Sequence, residues 1–363
     1  MKILAISDFP APYRVEVFKG LTKEFYIDLF FTTAASGERN DKWYCRQDED
    51  LNFTVLNTPE GIQRLESCIK NLSDYNLVLL YHPWAKISLK LQRMCIRKKI
   101  PYIINADGAL GITTSFPKKQ IKSYYCKRAA LCFAGCKRAI EYFKAYGVDE
   151  SKIVEHPFTS FYAEKVLNEP CSKELKSDFK KQLGLKERVT FLSVGRFIEL
   201  KGFDLLLEAW EKTSQDGQLV IIGGGPLHDT MLETVKEKEL KNVEIIDYKA
   251  SDELSKYYLA SDVYLMPTRG DIWGLVVTEA MATCLPVISS NQCTAANELV
   301  ENGVNGYIYN VNDTSRLASL IDLFLCDEEL RNKCGANAVS SVKNRTYENV
   351  IERHTKSIKD LLK

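Results

Sequence analysis

Short apolar, β-rich runs alternate with helical stretches along most of this chain, and that alternation constrains the fold more than any other feature. Lys2–Ile6 reads as a strand, Tyr13–Lys23 as a helix and Tyr26–Phe31 as a strand. The pattern continues through strands Leu77–Tyr81, Tyr102–Asn105 and Leu131–Ala134, with helices Ala85–Arg97, Lys118–Arg128 and Lys137–Ala145 between and after them. Such alternation implies βαβ units and parallel sheets covered by helices on both faces. It breaks between Pro157 and Lys186, a polar stretch with no apolar strand. It resumes with strands at Val189–Val194, Leu219–Ile222, Val243–Ile246, Val263–Met266, Val287–Ser289 and Tyr307–Tyr309. Helices lie between them, one from about Trp273 to Ala282, and helical segments follow to Leu362. We therefore expect an α/β protein of two doubly wound domains, with a cleft between them and ligands beyond the carboxyl ends of the strands. The expected boundaries are a first domain over 1–165, a linker over 166–188, a second domain over 189–343, and a C-terminal helix over 344–363.

The 363 residues suit two cores rather than one. No apolar run approaches the length of a membrane span, and the apolar start ends at Ser7, so it reads as a buried strand rather than a secretory signal. Among the eleven cysteines, the tightest cluster is Cys126, Cys132 and Cys136, whose gaps do not fit a zinc site. Free, buried or half-buried thiols in a reducing cytoplasm are expected. The net charge of +1 hides an asymmetry: from Lys86 to Lys144 there are fourteen Lys and Arg against two acids, Asp107 and Glu141. The charge is either a solvated surface or a face turned toward something anionic, such as a membrane leaflet or a lipid diphosphate. No nucleic-acid-binding pattern accompanies it.

Three segments after predicted strands carry the chemistry. Ser193-Val194-Gly195-Arg196 through Lys201-Gly202 puts a glycine, a forked cation and a point-charge cation between a strand and a helix; it is either a phosphate site or a loop with two solvated bases. Gly223-Gly224-Gly225-Pro226 lacks the dinucleotide spacing; it is either a plain turn into a helix or an open backbone for a nucleotide. Pro267 to Ala282 carries Asp271 where a helix cap belongs and Glu279 eight residues on, about 12 Å along a continuous helix. Glu279 stands in an apolar helix, where a carboxylate more often has a task.

In order and spacing from about Phe191 to Tyr309, these segments resemble the donor domain of retaining glycosyltransferases of family 4. Leu285-Pro286-Val287-Ile288 and Glu301-Asn302-Gly303-Val304-Asn305-Gly306 extend the likeness. The overall look is of bacterial capsule, exopolysaccharide and O-antigen enzymes. The resemblance implies a GT-B fold of two Rossmann-like domains facing each other across a cleft, with the last helix crossing back onto the first. It implies that Gly195, Arg196, Lys201 and the backbone at Gly274, Leu275 and Val276 hold a donor diphosphate. Asp271 would contact the donor sugar, Glu279 the nucleotide ribose, and Gly223, Gly224, Asp247 and Tyr248 would border the base. The first domain matches weakly, through Pro12, Tyr13 and Arg14 after the first strand. These are candidates for the acceptor side, and His82, after the strand Leu77–Tyr81, is either a half-buried structural histidine or a further acceptor contact. Relatives carry a glycine-rich loop after the first strand, where this chain has Pro10-Ala11-Pro12. They also carry a histidine after the strand Tyr102–Asn105, where this chain offers Asp107, which is either catalytic or a turn residue with Gly108.

The expected activity is transfer of a sugar from a UDP- or GDP-sugar to a hydroxyl of a lipid-linked or oligosaccharide acceptor, with retention and with no cofactor or metal. Asp48-Glu49-Asp50 has the Asp-x-Asp spacing that another transferase fold uses for a metal. Here it falls in the polar stretch Glu38–Asp50 and reads as a solvated loop. The rival readings are a sugar-nucleotide epimerase of the same fold and a non-catalytic nucleotide-sugar-binding partner. The expected location is the cytoplasm, peripheral on the inner face of the plasma membrane through residues 86–144.

Overall fold

The computed structural model describes residues 1–35, 43–45, 50–108, 111–113 and 115–363. It divides into two compact units, one of Met1–Ser160 with Arg345–Lys363 and one of Phe161–Asn344.

Unit 1 runs β1 (Lys2–Ser7), α1 (Pro12–Thr22), β2 (Tyr26–Phe31), β3 (Thr54–Val55), α2 (Pro59–Lys70), β4 (Leu77–Leu80), α3 (Lys86–Lys98), β5 (Tyr102–Ala106), α4 (Phe116–Arg128), β6 (Leu131–Ala134), α5 (Lys137–Ala145) and β7 (Ile153–Glu155). The strands form one sheet in the order β3-β2-β1-β4-β5-β6-β7, and each neighbouring pair is parallel. Side chains along β1, β4 and β5 are almost completely buried, as parallel strands covered on both faces must be. The order reverses between β1 and β4. The chain after β1 (Asp8 to Ala11) and after β4 (Tyr81 to Ala85) therefore lies at a switch point, where doubly wound sheets bind ligands.

Unit 2 runs α6 (Lys173–Leu183), β8 (Thr190–Arg196), α7 (Phe203–Glu211), β9 (Gln218–Gly224), α8 (His228–Glu237), β10 (Val243–Asp247), α9 (Ser251–Ala260), β11 (Val263–Met266), α10 (Leu275–Ala282), β12 (Val287–Ser290), α11 (Thr294–Leu299), β13 (Gly306–Tyr309), α12 (Thr314–Cys326) and α13 (Glu328–Ser340). Its sheet order is β10-β9-β8-β11-β12-β13, all parallel, with the switch point between β8 and β11. The core gathers Phe191, Trp210, Leu219, Val263, Leu320 and Phe324 around the sheet.

The stretch 166–188, expected to be a linker, is part of unit 2. Ser172 caps α6 by accepting the Leu175 N–H at 3.2 Å, and two lysines one turn apart then anchor the helix. Lys176 Nζ and Lys180 Nζ lie 2.8 and 3.2 Å from the two oxygens of Asp262, which also accepts the Thr190 N–H at 2.9 Å. A charged helix without an adjoining strand reads as a linker, because the ion pair that holds it joins residues more than 80 positions apart.

The C-terminal helix, Tyr347–Leu361, belongs to unit 1. It buries Val350, His354 and Ile358, one face at four-residue spacing, and packs along α1. Arg353 donates to the Glu155 carbonyl at 2.9 Å, and Lys359 pairs with Glu24 at 2.6 Å. The helices meet at Gly20, where an added Cβ would run into the Ile351 side chain. Gly20→Val should therefore overpack this seam and cost about 1–3 kcal/mol, read as a lower denaturant midpoint at unchanged slope.

Candidate nucleotide-binding site in unit 2

The carboxyl ends of β8, β9, β10 and β11 bring together residues far apart in sequence. Gly195 and Arg196 at the end of β8 stand in register with Gly223 and Gly224 of β9, and Gly223 in turn with Asp247 of β10. A side chain at Gly223 would strike the Gly195 carbonyl oxygen. This glycine is therefore required by the close approach of two strand ends, whatever else passes over it. Asp247 is exposed, with its Oδ1 3.7 Å from His228 Nε2. Tyr248 follows it, half-buried, where the chain leaves β10.

Lys201 stands in a turn before α7, and that turn is tied to the loop after β11. Thr268 Oγ1 donates to the Leu200 carbonyl at 2.9 Å, and the Arg269 N–H donates to the same carbonyl at 2.8 Å. The Arg269 guanidinium reaches the Glu199 carbonyl at 2.8 Å and clasps both oxygens of Asp204 at 2.7 and 2.6 Å. Gly202 has φ +69°, and a Cβ there would meet the Pro267 carbonyl. The two loops at the switch point thus behave as one braced piece, and Lys201 Nζ forms an ion pair with Asp271 across it.

Asp271 is not the helix cap that its position suggested. Its N–H donates to the Gln292 carbonyl at 3.0 Å, and its carbonyl accepts the Thr294 hydroxyl at 3.1 Å. Pinned in this way, the chain turns through Gly274 at φ +101°, and α10 begins only at Leu275. A Cβ at Gly274 would press on Cys293 Sγ, 2.7 Å away, so the turn needs glycine. Glu279 is therefore only about 6 Å of helix rise from Leu275, rather than 12 Å from Asp271. The N–H groups of Leu275 and Val276 belong to the first turn, which has no carbonyls of its own helix to donate to. They stand at the positive end of the helix dipole.

Sequence reading missed what holds Glu279. The Tyr258 hydroxyl of α9 donates to Glu279 Oε2 at 2.9 Å. Burial, reinforced by the Glu279 charge, holds that phenol well above the ordinary tyrosine value, so it stays a neutral donor. Tyr264 lies beneath, its hydroxyl donating to the Val194 carbonyl at 3.3 Å. Neither tyrosine stands out in sequence, since each occupies an ordinary core position.

Unit 1 gathers a second polar cluster at the ends of β1, β4 and β5. Pro12 opens α1. Tyr13 packs edge-on against Phe158 with ring centres 4.9 Å apart. Arg14, 4% exposed, stacks over the Tyr81 ring at 3.9 Å and forms an ion pair with Asp107. Asp107 is more than a turn residue, because Asn105 Nδ2 also donates to its Oδ1 at 2.7 Å. That donation turns the Asn105 carbonyl oxygen toward His156 Nε2, 3.0 Å away. Burial pushes His156 down to about 3, so the ring is neutral, and its Nδ1 lies 3.2 Å from the Pro157 carbonyl oxygen. His354 of the C-terminal helix packs 4.6 Å from the His156 ring and, with Arg14, Asp107 and His156, lines a small pocket. His82 lies outside that pocket, its Nδ1 3.3 Å from the Thr32 hydroxyl.

Asp48 and Glu49 lie outside the described residues, and Asp50 is exposed, 3.7 Å from Lys19. Among the described residues no group of three or more His, Cys, Asp or Glu is placed to hold a metal ion. No helix among them is long and apolar enough to cross a membrane. All eleven cysteines are free thiols and Cys326 is exposed, where buried or half-buried thiols were expected.

Two parallel six- and seven-stranded sheets with flanking helices make this an α/β fold of the GT-B type. The same fold is seen in Anabaena HepE in complex with UDP, with a TM-score of 0.79 at 16% identity over 99% of this chain and 100% of that one. It is seen also in WaaG, a glycosyltransferase involved in lipopolysaccharide biosynthesis, with a TM-score of 0.69 at 14% identity over 99% of both chains. Residues 176–340 match the family of glycosyl transferases group 1, which bears out the resemblance drawn from the motifs. Within the curated relatives, an uncharacterized glycosyltransferase of Haemophilus influenzae is 31% identical over 154 residues, 42% of this chain and 43% of that protein. The amylovoran biosynthesis glycosyltransferase AmsK of Erwinia amylovora is 31% identical over 156 residues, 40% of this chain and 38% of its own length. The capsular polysaccharide biosynthesis glycosyltransferase CapM of Staphylococcus aureus is 27% identical over 168 residues, 46% of this chain and 44% of that protein. The chain thus spans less than half the length of each of these relatives.

Proposed function

We propose that this chain transfers a glycosyl unit from a UDP- or GDP-sugar to an acceptor hydroxyl with retention at the anomeric carbon, in the synthesis of a surface polysaccharide. The observation that carries the reading is the convergence of Arg196, Lys201, the first-turn amides of α10 and Glu279 around one switch point of unit 2. Two cations and a helix N-terminus meet a diphosphate, and a carboxylate four residues into the helix meets ribose hydroxyls. The likeness to glycosyltransferases of amylovoran and capsular polysaccharide biosynthesis, and the UDP bound by HepE, support the same assignment.

In this reaction the bond between the anomeric carbon and the phosphate oxygen breaks, and negative charge builds on the departing nucleoside diphosphate. Arg196, Lys201 and the amides of Leu275 and Val276 stabilise that charge where it develops. Asp271 holds Lys201 in place through their ion pair and presents its carboxylate to the donor sugar. The acceptor oxygen bonds to the anomeric carbon on the face the phosphate leaves, and its proton passes to a phosphate oxygen of the leaving group. No protein nucleophile and no metal ion take part.

The test separates the two acids. A donor that binds the folded chain raises its melting temperature, so a panel of UDP- and GDP-sugars identifies the donor, and nucleotide release on adding acceptor demonstrates transfer. Glu279→Gln should weaken binding of donor and of free nucleoside diphosphate alike, by about tenfold or more, as expected for a lost hydrogen bond to a charged group. Asp271→Asn, which loosens Lys201 but leaves the ribose contact, should weaken nucleoside diphosphate binding in calorimetry less than Glu279→Gln does, and should reduce turnover more. Equal losses of nucleotide affinity in both variants would refute the division of roles, and donor binding without nucleotide release across acceptors would refute transfer.

A further inference from the structure

We infer that the aromatic rings gathered at the carboxyl end of β1 in unit 1 form a stacking platform for a pyranose without an anionic substituent. The acceptor would then be a sugar of an existing glycan, and the reaction that supplies it must itself be a glycosyl transfer. That second step rests on the proposed transfer; the binding of a pyranose here does not.

Among the described residues, Phe9, Tyr13, Trp43, Tyr44 and Phe158 form one contiguous group. Ring centres lie 5.7 Å apart for Phe9 and Tyr44, 6.0 Å for Phe9 and Trp43, 6.3 Å for Tyr13 and Trp43, and 4.9 Å for Tyr13 and Phe158. They come from three parts of the chain. Phe9 and Tyr13 flank the start of α1, and Phe158 lies just beyond β7. The Cys45 N–H donates to the Pro10 carbonyl at 3.0 Å, which ties residues 43–45 to the loop after β1. The ring planes of these pairs meet at 58° to 88°, so none of the pairs is stacked face to face. All five rings are half-buried, whereas Phe18, Phe30, Phe31 and Phe133 of the same unit are fully covered. Aromatic side chains left partly open beside a switch point line a ligand site rather than a core.

Charge and hydrogen bonding select the ligand. Arg14 stands beside the platform, its guanidinium carbon 5.5 Å from the centre of the Tyr13 ring, but it is buried and paired with Asp107. Asp8, at the end of β1, is a second carboxylate whose charge acts on the same cation. One cation against two carboxylates leaves no positive charge for a phosphate or diphosphate. The Asp107 side chain is 21% exposed and Asp8 is half-buried, so both can accept from a ligand's hydroxyls, and hydrogen bonds to a carboxylate are strong ones. A pyranose fits both demands. Its face of C–H bonds suits the electron-rich face of an aromatic ring, and its hydroxyls point outward from the ring edge. An isoprenoid chain would cover the rings, but it would strip water from Asp8 and Asp107 and return no hydrogen bond.

The test is saturation-transfer NMR on the whole chain with the methyl pyranosides of glucose, galactose, mannose and N-acetylglucosamine, and with farnesyl phosphate. At least one pyranoside should receive saturation, most strongly at the hydrogens of one C–H face. Trp43→Ala should weaken its binding about tenfold, the scale of one lost aromatic contact, whereas Trp43→Phe, which keeps a ring, should retain it. The pyranoside should also shift the tryptophan emission of the unaltered chain, and that shift should vanish in Trp43→Phe. Both variants should keep the melting temperature of the unaltered chain and its response to nucleotide, which separates the platform from the donor site. Absence of saturation transfer to every pyranoside overturns the inference. So does pyranoside binding undiminished in Trp43→Ala, or tighter binding of farnesyl phosphate than of any pyranoside. Pyranoside binding by a chain that releases no nucleotide would uphold the platform and refute the transfer alone.

Discussion

Lys201→Ala and Arg196→Ala should each cut glycosyl transfer by about two to three orders of magnitude, the scale seen when one preorganised donor is removed from a developing oxyanion. The two cations do different work. Arg196 ends β8 beside Gly224, so its position is fixed by the sheet. Lys201 is fixed by the braced loops and by its ion pair with Asp271, which offsets the entropy of holding a long side chain in place. Removing either deletes charge where the departing diphosphate gathers it, and leaves the core untouched. Asp271 in the Lys201 variant keeps the Trp273 N–H, 3.3 Å away, so its fold is disturbed little. Turnover of nucleotide sugar, measured with circular dichroism and melting temperature as controls, decides the matter. Near-normal rates in both variants would remove the diphosphate from this corner of the sheet.

The second large effect concerns stability. Asp262→Ala should destabilise the protein by about 3–5 kcal/mol, the range for breaking one side of a buried ion pair. Burial alone would raise the pKa of this carboxyl, but Lys176 and Lys180 outweigh it and hold the group below the ordinary 3.8. The folded value lies below the unfolded one, so the stabilisation is complete above the ordinary carboxylate value and is lost as pH falls through the folded one. Unaltered protein should therefore lose stability steeply below about pH 4, and the alanine variant less steeply. Denaturant titrations at neutral pH and near pH 3 measure both. A loss below 1 kcal/mol at neutral pH would mean that α6 is a loosely held appendage.

What could be read from sequence, and what could not, divides along locality. The strands were legible because parallel strands buried on both faces need continuous apolar runs, and Leu77–Leu80 or Val263–Met266 leave no other reading. Arg196, Lys201 and Glu279 stood out because a cation after a strand and an acid within an apolar helix are local anomalies. The delayed start of α10 was hidden, because it depends on Gln292 and Thr294 holding Asp271 from about twenty residues away. The chain from His156 through Asn105 to Asp107 was hidden for the same reason, its first two members being 51 positions apart. Tyr258 was invisible because a buried tyrosine is ordinary until its hydroxyl is seen to reach a carboxylate.

The placement of the C-terminal helix has a consequence for biosynthesis. Unit 2 lies wholly within the sequence of unit 1, so a ribosome completes the second unit before it supplies the helix that covers α1 of the first. Until then the groove beside Gly20, and the apolar seats of Val350 and Ile358, stay open to water. His354, whose ring stands against His156 and lines the unit 1 pocket, arrives with that helix. The polar cluster around Asp107 is thus the last part of the molecule to be closed, and a nascent chain stalled before residue 347 would carry a complete unit 2 and an unfinished unit 1.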